Sequence, residues 1–348
     1  MDRHLTYQIT EKEAGERIEQ FLRQTGCSHR VLTHLKRTER GIVRNGEWAY
    51  ANETLVCGDV LEIHVLEEGS SDGIVPVKLP LSVVYEDEDL LIIDKPAGMP
   101  VHPSMGNYDN TLANAVVCYY QSEPSPFVFR CINRLDRDTS GLLILAKNMI
   151  SGAMLYQMSA RREIHREYLA VACGVTPGCG TIDAPIARRE GSVLMRCVDY
   201  ERGERAVTHY ERVHIMNPHP DNGVGPATPC PHIAPSDNAM ISCAPAAPNQ
   251  CPFTSSSLSV PIETGLPDVP LSLLRIRLET GRTHQIRVHM AHIRHPLAGD
   301  FLYNPGSQTW IARQALHSHS LAFCHPVTGQ ELHFESPLPE DMKALTVR

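Results

Sequence analysis

Near the start of the chain, Ile18, Phe21 and Leu22 recur at helical spacing in EAGERIEQFLRQTG, which Thr10 and Glu13 precede in a capping-box pattern. This predicts a short amphipathic helix. The next segment, SHRVLTHLKRTERG, sets Val31, Leu32 and Leu35 on one face and basic residues on the other. IVRNGEWAY carries an Asn45-Gly46 hairpin turn, and CGDVLEIHVLEE reads as a strand entered through a Gly-Asp turn. Two helices and a small hairpin make a module over residues 1–68, and EGSSDGIVPVKLP supplies a linker over 69–80. From Leu81 the pattern turns to strands. LSVVYEDEDLLIIDKP predicts two strands joined by an acidic turn, TLANAVVCYY a helix, LLILA a strand, NMISGAMLYQMSARRE a helix and REYLAVACG a strand. The succession is mixed and lacks repeating βαβ units or phosphate-loop glycines. An α+β fold on a mixed, largely antiparallel sheet is therefore expected for a domain over 81–348. Within it, residues 217–268 are rich in Pro, Ser, Ala and Asn, nearly uncharged and without periodicity, and read as a flexible insertion.

With 348 residues and 42% hydrophobic content, two units with ample cores are expected. No stretch approaches a membrane span, and MDRHLTYQITEKEAGE lacks the apolar run of a signal peptide, so no membrane partner and a cytoplasmic location are expected. The eleven cysteines are scattered along the chain and read as reduced thiols. No CxxC pair occurs, Cys173 and Cys179 lack ribbon spacing, and Cys230, His232, Cys243 and Cys251 match no familiar site, so no metal is expected.

The formal net charge of −8 opposes nucleic-acid binding at first sight, because phosphate contacts need clustered cations. Distribution changes that picture. Arg30, Lys36, Arg37, Arg40 and Arg44 face one local acid, Glu39, while Arg275, Arg277, Arg282, Arg287 and Arg294 face only Glu279 and are interleaved with His284, His289, His292 and His295. Two basic faces are expected, and neutral or RNA-facing roles for these histidines.

The strongest candidate for chemistry is CINRLDRDTSGLLILAKN, where a loop holding Arg134, Asp136, Arg137, Asp138, Thr139 and Ser140 empties into an apolar strand. Such a strand fixes a loop firmly enough to carry a catalytic carboxylate, although for RLDRDTSG taken in isolation a salt-bridged loop of purely structural purpose is the commoner explanation.

Four ordered blocks carry a resemblance. RLD followed by two residues and TSGL is similar to the signature of RluA-like pseudouridine synthases. KPAGMPVHPS, REYLAVACG and LETGRTHQIRVHMAHIRHPLAGD resemble three further family blocks. The basic second helix, the VRNG turn and the GDVLEI strand resemble an αL-type RNA-binding domain. The resemblance implies an RNA pseudouridine synthase without cofactor or metal, acting as a monomer on ribosomal RNA or on tRNA, with large-subunit rRNA favoured by the N-terminal module. It implies Asp136 as the catalytic carboxylate, Tyr168 framing the uracil, Arg287 holding Asp136 ionised, and Arg134 entering the stack where the target base leaves. Arg30, Lys36, Arg37, Arg40, Arg282 and His284 are the expected RNA contacts. Lys95, Gly98, Thr139 and Ser140 read as loop-shaping residues, and Asn133 stands where the family often has His. The rival reading is a non-catalytic RNA-binding or ribosome-assembly protein on the same scaffold, and the intact carboxylate weighs against it.

Overall fold

A computed structural model describes residues 2–67, 69, 71, 73–122, 127–216 and 269–346. The chain forms two compact units, Met1–Arg166 with Ser318–Pro337 and Glu167–His317 with Leu338–Arg348. The expected insertion at 217–268, with its Cys230, His232, Cys243 and Cys251, lies outside the described residues.

The first unit begins with β1 (Asp2–Gln8), α1 (Ile18–Gln24), α2 (His29–Arg37), β2 (Ile42–Arg44), β3 (Glu47–Trp48) and β4 (Val60–Leu66). The strands form an antiparallel sheet in the order β1-β4-β2-β3. Asn45 and Gly46 both have positive φ, 53° and 83°, as the tight hairpin between β2 and β3 requires. The apolar stripes behave as their spacing predicts: Ile18, Phe21 and Leu22 of α1 and Val31, Leu32 and Leu35 of α2 are buried. Two features differ. DRHLTYQ is a full strand, which its single buried apolar residue, Leu5, barely advertised. The Thr10–Glu13 bond does form, with the Thr10 amide donating to Glu13 Oε2 at 3.0 Å, but it closes a turn, and the helix starts only at Ile18. Gly15 sits between them at φ +91°, a conformation that ends helical propagation. The core beneath this sheet also contains Ile150 and Met154.

The same unit continues through β5 (Val83–Glu86), β6 (Leu90–Lys95), α3 (Leu112–Tyr119), β7 (Ser140–Ala146) and α4 (Met149–Ala160), all close to their predicted positions. Side-chain caps explain the helix starts. Thr111 accepts from the Asn114 amide, and Asn148 from those of Ile150 and Ser151. The chain leaves this unit within β8 (His165–Cys173). In the second unit follow β9 (Cys179–Asp183), β10 (Ile186–Arg188), β11 (Arg196–Val198), β12 (Val207–Met216), β13 (Leu271–Leu278) and α5 (Gln285–His292). β14 (Leu316–Cys324) then carries the chain back, β15 (Glu331–Glu335) pairs with it, and α6 (Glu340–Thr346) closes the second unit.

In the first unit the second sheet runs β5-β6-β7-β14 with β15 on β14, and in the second unit the order is β8-β13-β12-β9. The pairs β5–β6, β6–β7, β8–β13, β13–β12, β12–β9 and β14–β15 are antiparallel. The architecture is thus the expected α+β one. The first unit has a core of Leu90, Ile92, Leu142, Ile144 and Leu321 with their neighbours, the second one built around Val171, Leu271, Ala298 and Met342. Met216 and Leu271, on either side of 217–268, are register partners in the β12–β13 pair.

Candidate active-site elements

The Asp136 loop is built as a doubling-back on β7. Before the loop, Ile132 donates to the Ile144 carbonyl and Arg130 accepts from Ala146, each at 2.9 Å, so the chain runs beside β7 before turning into it. Asn133, buried, accepts from the Ile144 amide at 2.9 Å and so helps hold the approach to the loop against β7. Within the loop the Thr139 amide donates to the Asp136 carbonyl at 3.1 Å, and Leu135 is buried while Arg134 is exposed and Asp136 half-buried. Asp138 pairs with its neighbour Arg137 at 2.9 Å. Every residue of β7 is buried, which gives the loop a rigid footing. Gly141 has φ +109°, and a Cβ there would meet the Ser318 carbonyl oxygen at 2.2 Å, so the TSG glycine is demanded by both conformation and space.

Lys95 gives the second motif block its purpose. Its side chain is fully buried, and Nζ donates to the carbonyls of Pro96, Met99 and Arg137 at 2.7, 2.8 and 2.9 Å. A buried ammonium is tolerated only when so satisfied, and charge-assisted bonds of this kind are worth about 1.5–3 kcal/mol each. One cation therefore ties the KPAGMP loop to the RLDRDTSG loop. His102, in the same block, packs edge-on against Phe129, and burial followed by the nearby charge of Arg134 holds its pKa below the usual imidazole value.

Tyr168 and Arg287 belong to the second unit. Tyr168 is buried on β8, opposite Ile276 of β13. Arg287 is buried on α5, a helix that the basic character of HQIRVHMAHIR obscured. Its Nε and Nη2 donate to the two oxygens of Asp300 at 2.7 and 2.8 Å, and Asp300 also accepts from the amides of Leu302 and Tyr303. The guanidinium lies 5.2 Å from the Tyr303 ring centre and 5.6 Å from that of Phe301. Asp300 had no assigned role in the sequence. Its one signal was its place as the acid closing a block that contains a candidate arginine.

The second basic face expected from the sequence is corrected by this geometry. Arg287 is buried rather than exposed, Arg275 and Arg277 both pair with Glu167, and Arg282 pairs with Glu204 while donating to the Arg205 carbonyl at 3.2 Å. Pairing of β13 with β8 and β12 brings up acids from distant sequence, so the local count of one opposing glutamate misjudged the face. His284, with φ 58°, shares a hydrogen bond with the Tyr303 hydroxyl at 3.0 Å. His289 is a core residue. Its Nε2 donates to the Ala184 carbonyl, its Nδ1 accepts from the Thr208 hydroxyl, and burial pushes its pKa down to about 4. His295 bonds the Cys173 carbonyl.

The first basic cluster does reach the surface. Arg30, Arg37 and Arg40 are exposed, and Lys36 is exposed while paired with Glu19 at 2.9 Å. Arg37 and Arg40 line a cleft of about 960 Å³ that His4, His34 and His64 also line.

A family model described as RNA pseudouridylate synthase matches residues 89–292. An RNA pseudouridine synthase of Bacillus subtilis strain 168 is 32% identical over 94% of this chain and 97% of its own length. The ribosomal large subunit pseudouridine synthase D of Escherichia coli strain K12 is 32% identical over 98% of this chain and 93% of its own. Among solved structures, human RNA pseudouridylate synthase domain containing 1 matches with a TM-score of 0.52 and 21% identity, covering 80% of this chain and 90% of that one. That last likeness speaks to the fold. Among the described residues, no helix is long and apolar enough to cross a membrane.

Proposed function

This chain belongs to the RNA pseudouridylate synthase family and is an RNA pseudouridine synthase, and from that premise we propose that it isomerises uridine in large-subunit ribosomal RNA with Asp136 as its catalytic carboxylate. The reaction breaks the bond from ribose C1′ to uracil N1, turns the base, and joins C5 to the same carbon. Asp136 serves it either by adding to C1′ to give a covalent intermediate or by removing the 2′ proton to give a glycal. Both routes need an ionised carboxylate on a loop that does not move, and the observation that carries the reading is the Asp136 loop itself, pinned to β7 and braced by the buried Lys95. Tyr168 frames the uracil and Arg287 acts as the partner of the catalytic carboxylate; both fall on matching motif positions, and the Asp300 pair orients Arg287. Arg134, exposed beside Asp136, occupies the place left by the extruded base.

Residues 1–68 act as the RNA-binding domain, joined by 69–80 to the synthase domain at 81–348. Exposed Arg30, Arg37 and Arg40, with Lys36 beside them, supply phosphate contacts, and Arg282 and His284 add contacts from the second unit. The preference for large-subunit rRNA over tRNA rests on relatives named for that substrate across most of the chain, and a cytoplasmic location goes with that reading. Pseudouridine mapping of total RNA from a strain lacking the protein tests the assignment. Loss of one or a few large-subunit sites is expected; losses confined to tRNA would reassign the substrate, and an unchanged map would contradict the proposal.

A further inference from the structure

On the solvent face of the N-terminal sheet, three metal-binding side chains meet that the active-site account does not use. β1 and β4 pair antiparallel with His4 directly opposite His64, and Asp2 lies two residues before His4, on the same face. The two imidazole rings stack with centroids 3.8 Å apart and an angle of 19° between planes. Nε2 of both rings approaches one carboxylate oxygen, Asp2 Oδ1, at 2.6 Å from His64 and 3.6 Å from His4. One ligand atom from each of the three residues lies within 4.8 Å of the others. An ordinary surface ion pair accounts for the His64–Asp2 contact but not for a second imidazole nitrogen converging on the same oxygen.

We infer that Asp2, His4 and His64 form a binding site for one divalent transition-metal ion of the zinc class. Two imidazoles and a carboxylate are a donor set that such ions favour over magnesium or calcium, and three protein ligands leave a coordination position for water or another oxygen donor. The side chains are 47%, 65% and 28% exposed, so that position is open to solvent. His4 and His64 also line the cleft shared with Arg37 and Arg40, where an anionic oxygen is a suitable fourth ligand. The chain carries no sequence pattern for the site, because His64 reaches His4 only through strand pairing across sixty residues.

The test is calorimetric titration of the full-length protein with Zn²⁺ under reducing conditions, alongside the His4→Ala/His64→Ala double variant and Asp2→Asn. Because free thiols elsewhere in the chain can also take up zinc, the difference between proteins is what is read. The wild type is expected to take up one more equivalent than the double variant, and Asp2→Asn to weaken that step by roughly ten-fold or more. Zn²⁺ should also raise the unfolding midpoint of the wild type more than that of either variant, since the ion bridges β1 and β4. Equal stoichiometry and affinity in all three proteins would overturn the inference. All three side chains lie on the solvent face, and Asp2→Asn alone, which alters no core residue, decides the matter if the double variant fails to fold.

Discussion

Asp300→Asn isolates the buried ion pair of the second unit. Arg287 is 2% exposed and Asp300 fully buried, and the pair is bidentate, at 2.7 and 2.8 Å. Asparagine preserves the shape of the side chain and can still accept from the Leu302 and Tyr303 amides, so backbone geometry around 300 is largely retained. What is lost is the charge of the bidentate partner beside a desolvated guanidinium. Removing one partner of such a pair costs about 3–5 kcal/mol, and because the remaining bonds of Asp300 survive, a loss near the lower end, about 3 kcal/mol, is expected. The assay is urea unfolding of the full-length protein at pH 7, followed by a signal from the second unit such as Trp310 fluorescence. Arg287→Met/Asp300→Asn, which removes both charges and keeps the acceptor for the Leu302 and Tyr303 amides, should regain a large part of the loss, because the penalty belongs to a guanidinium that has lost its bidentate partner rather than to the pair. A single variant within about 0.5 kcal/mol of wild type, or a double variant no more stable than the single one, would refute the reasoning.

Acid should weaken the fold through His289. Burial lowers its folded pKa to about 4 from an ordinary 6.5, so the neutral form is the one the fold prefers; its contribution is complete above about pH 6.5 and is lost as pH falls through the folded value. Urea midpoints measured at pH 7 and pH 4.5 should fall more for the wild type than for His289→Asn, and parallel declines would remove the assignment. Replacing 217–268 with a short glycine-containing turn should leave the unfolding midpoint and pseudouridine formation unchanged, because Met216 and Leu271 already face each other as strand partners. Insoluble or inactive protein would show that the segment contributes to structure or to substrate binding.

Much of this was legible in the sequence where one local pattern decided the outcome. The alternation in DVLEIHVL, the stripe in VLTHLKR and the unbroken apolar run of LLILA each specify an element without outside help. Legibility failed where long-range pairing decided. DRHLTYQ becomes a strand because β4 offers it an edge, and the charge of the basic stretch around Arg275 and Arg277 is partly offset because β8 brings Glu167 alongside. The Asp136 loop was visible as a motif and as a loop entering a strand. Its brace was not, since the Lys95 side chain reaches the Arg137 carbonyl across forty-two residues. Likewise nothing in the sequence joined Arg287 to Asp300 except their presence in one block.

The role proposed for Asp136 in the isomerisation is tested most directly by substituting that carboxylate alone. Wild type and Asp136→Asn should be incubated with unmodified large-subunit ribosomal RNA transcripts, with pseudouridine quantified by site, and RNA binding and unfolding midpoints measured in parallel. The half-buried side chain at 136 keeps its size in the variant, so both controls should stay close to wild type. The account predicts no detectable pseudouridine from Asp136→Asn at sites the wild type converts. Pseudouridine formation by the variant at a rate near that of the wild type would contradict it.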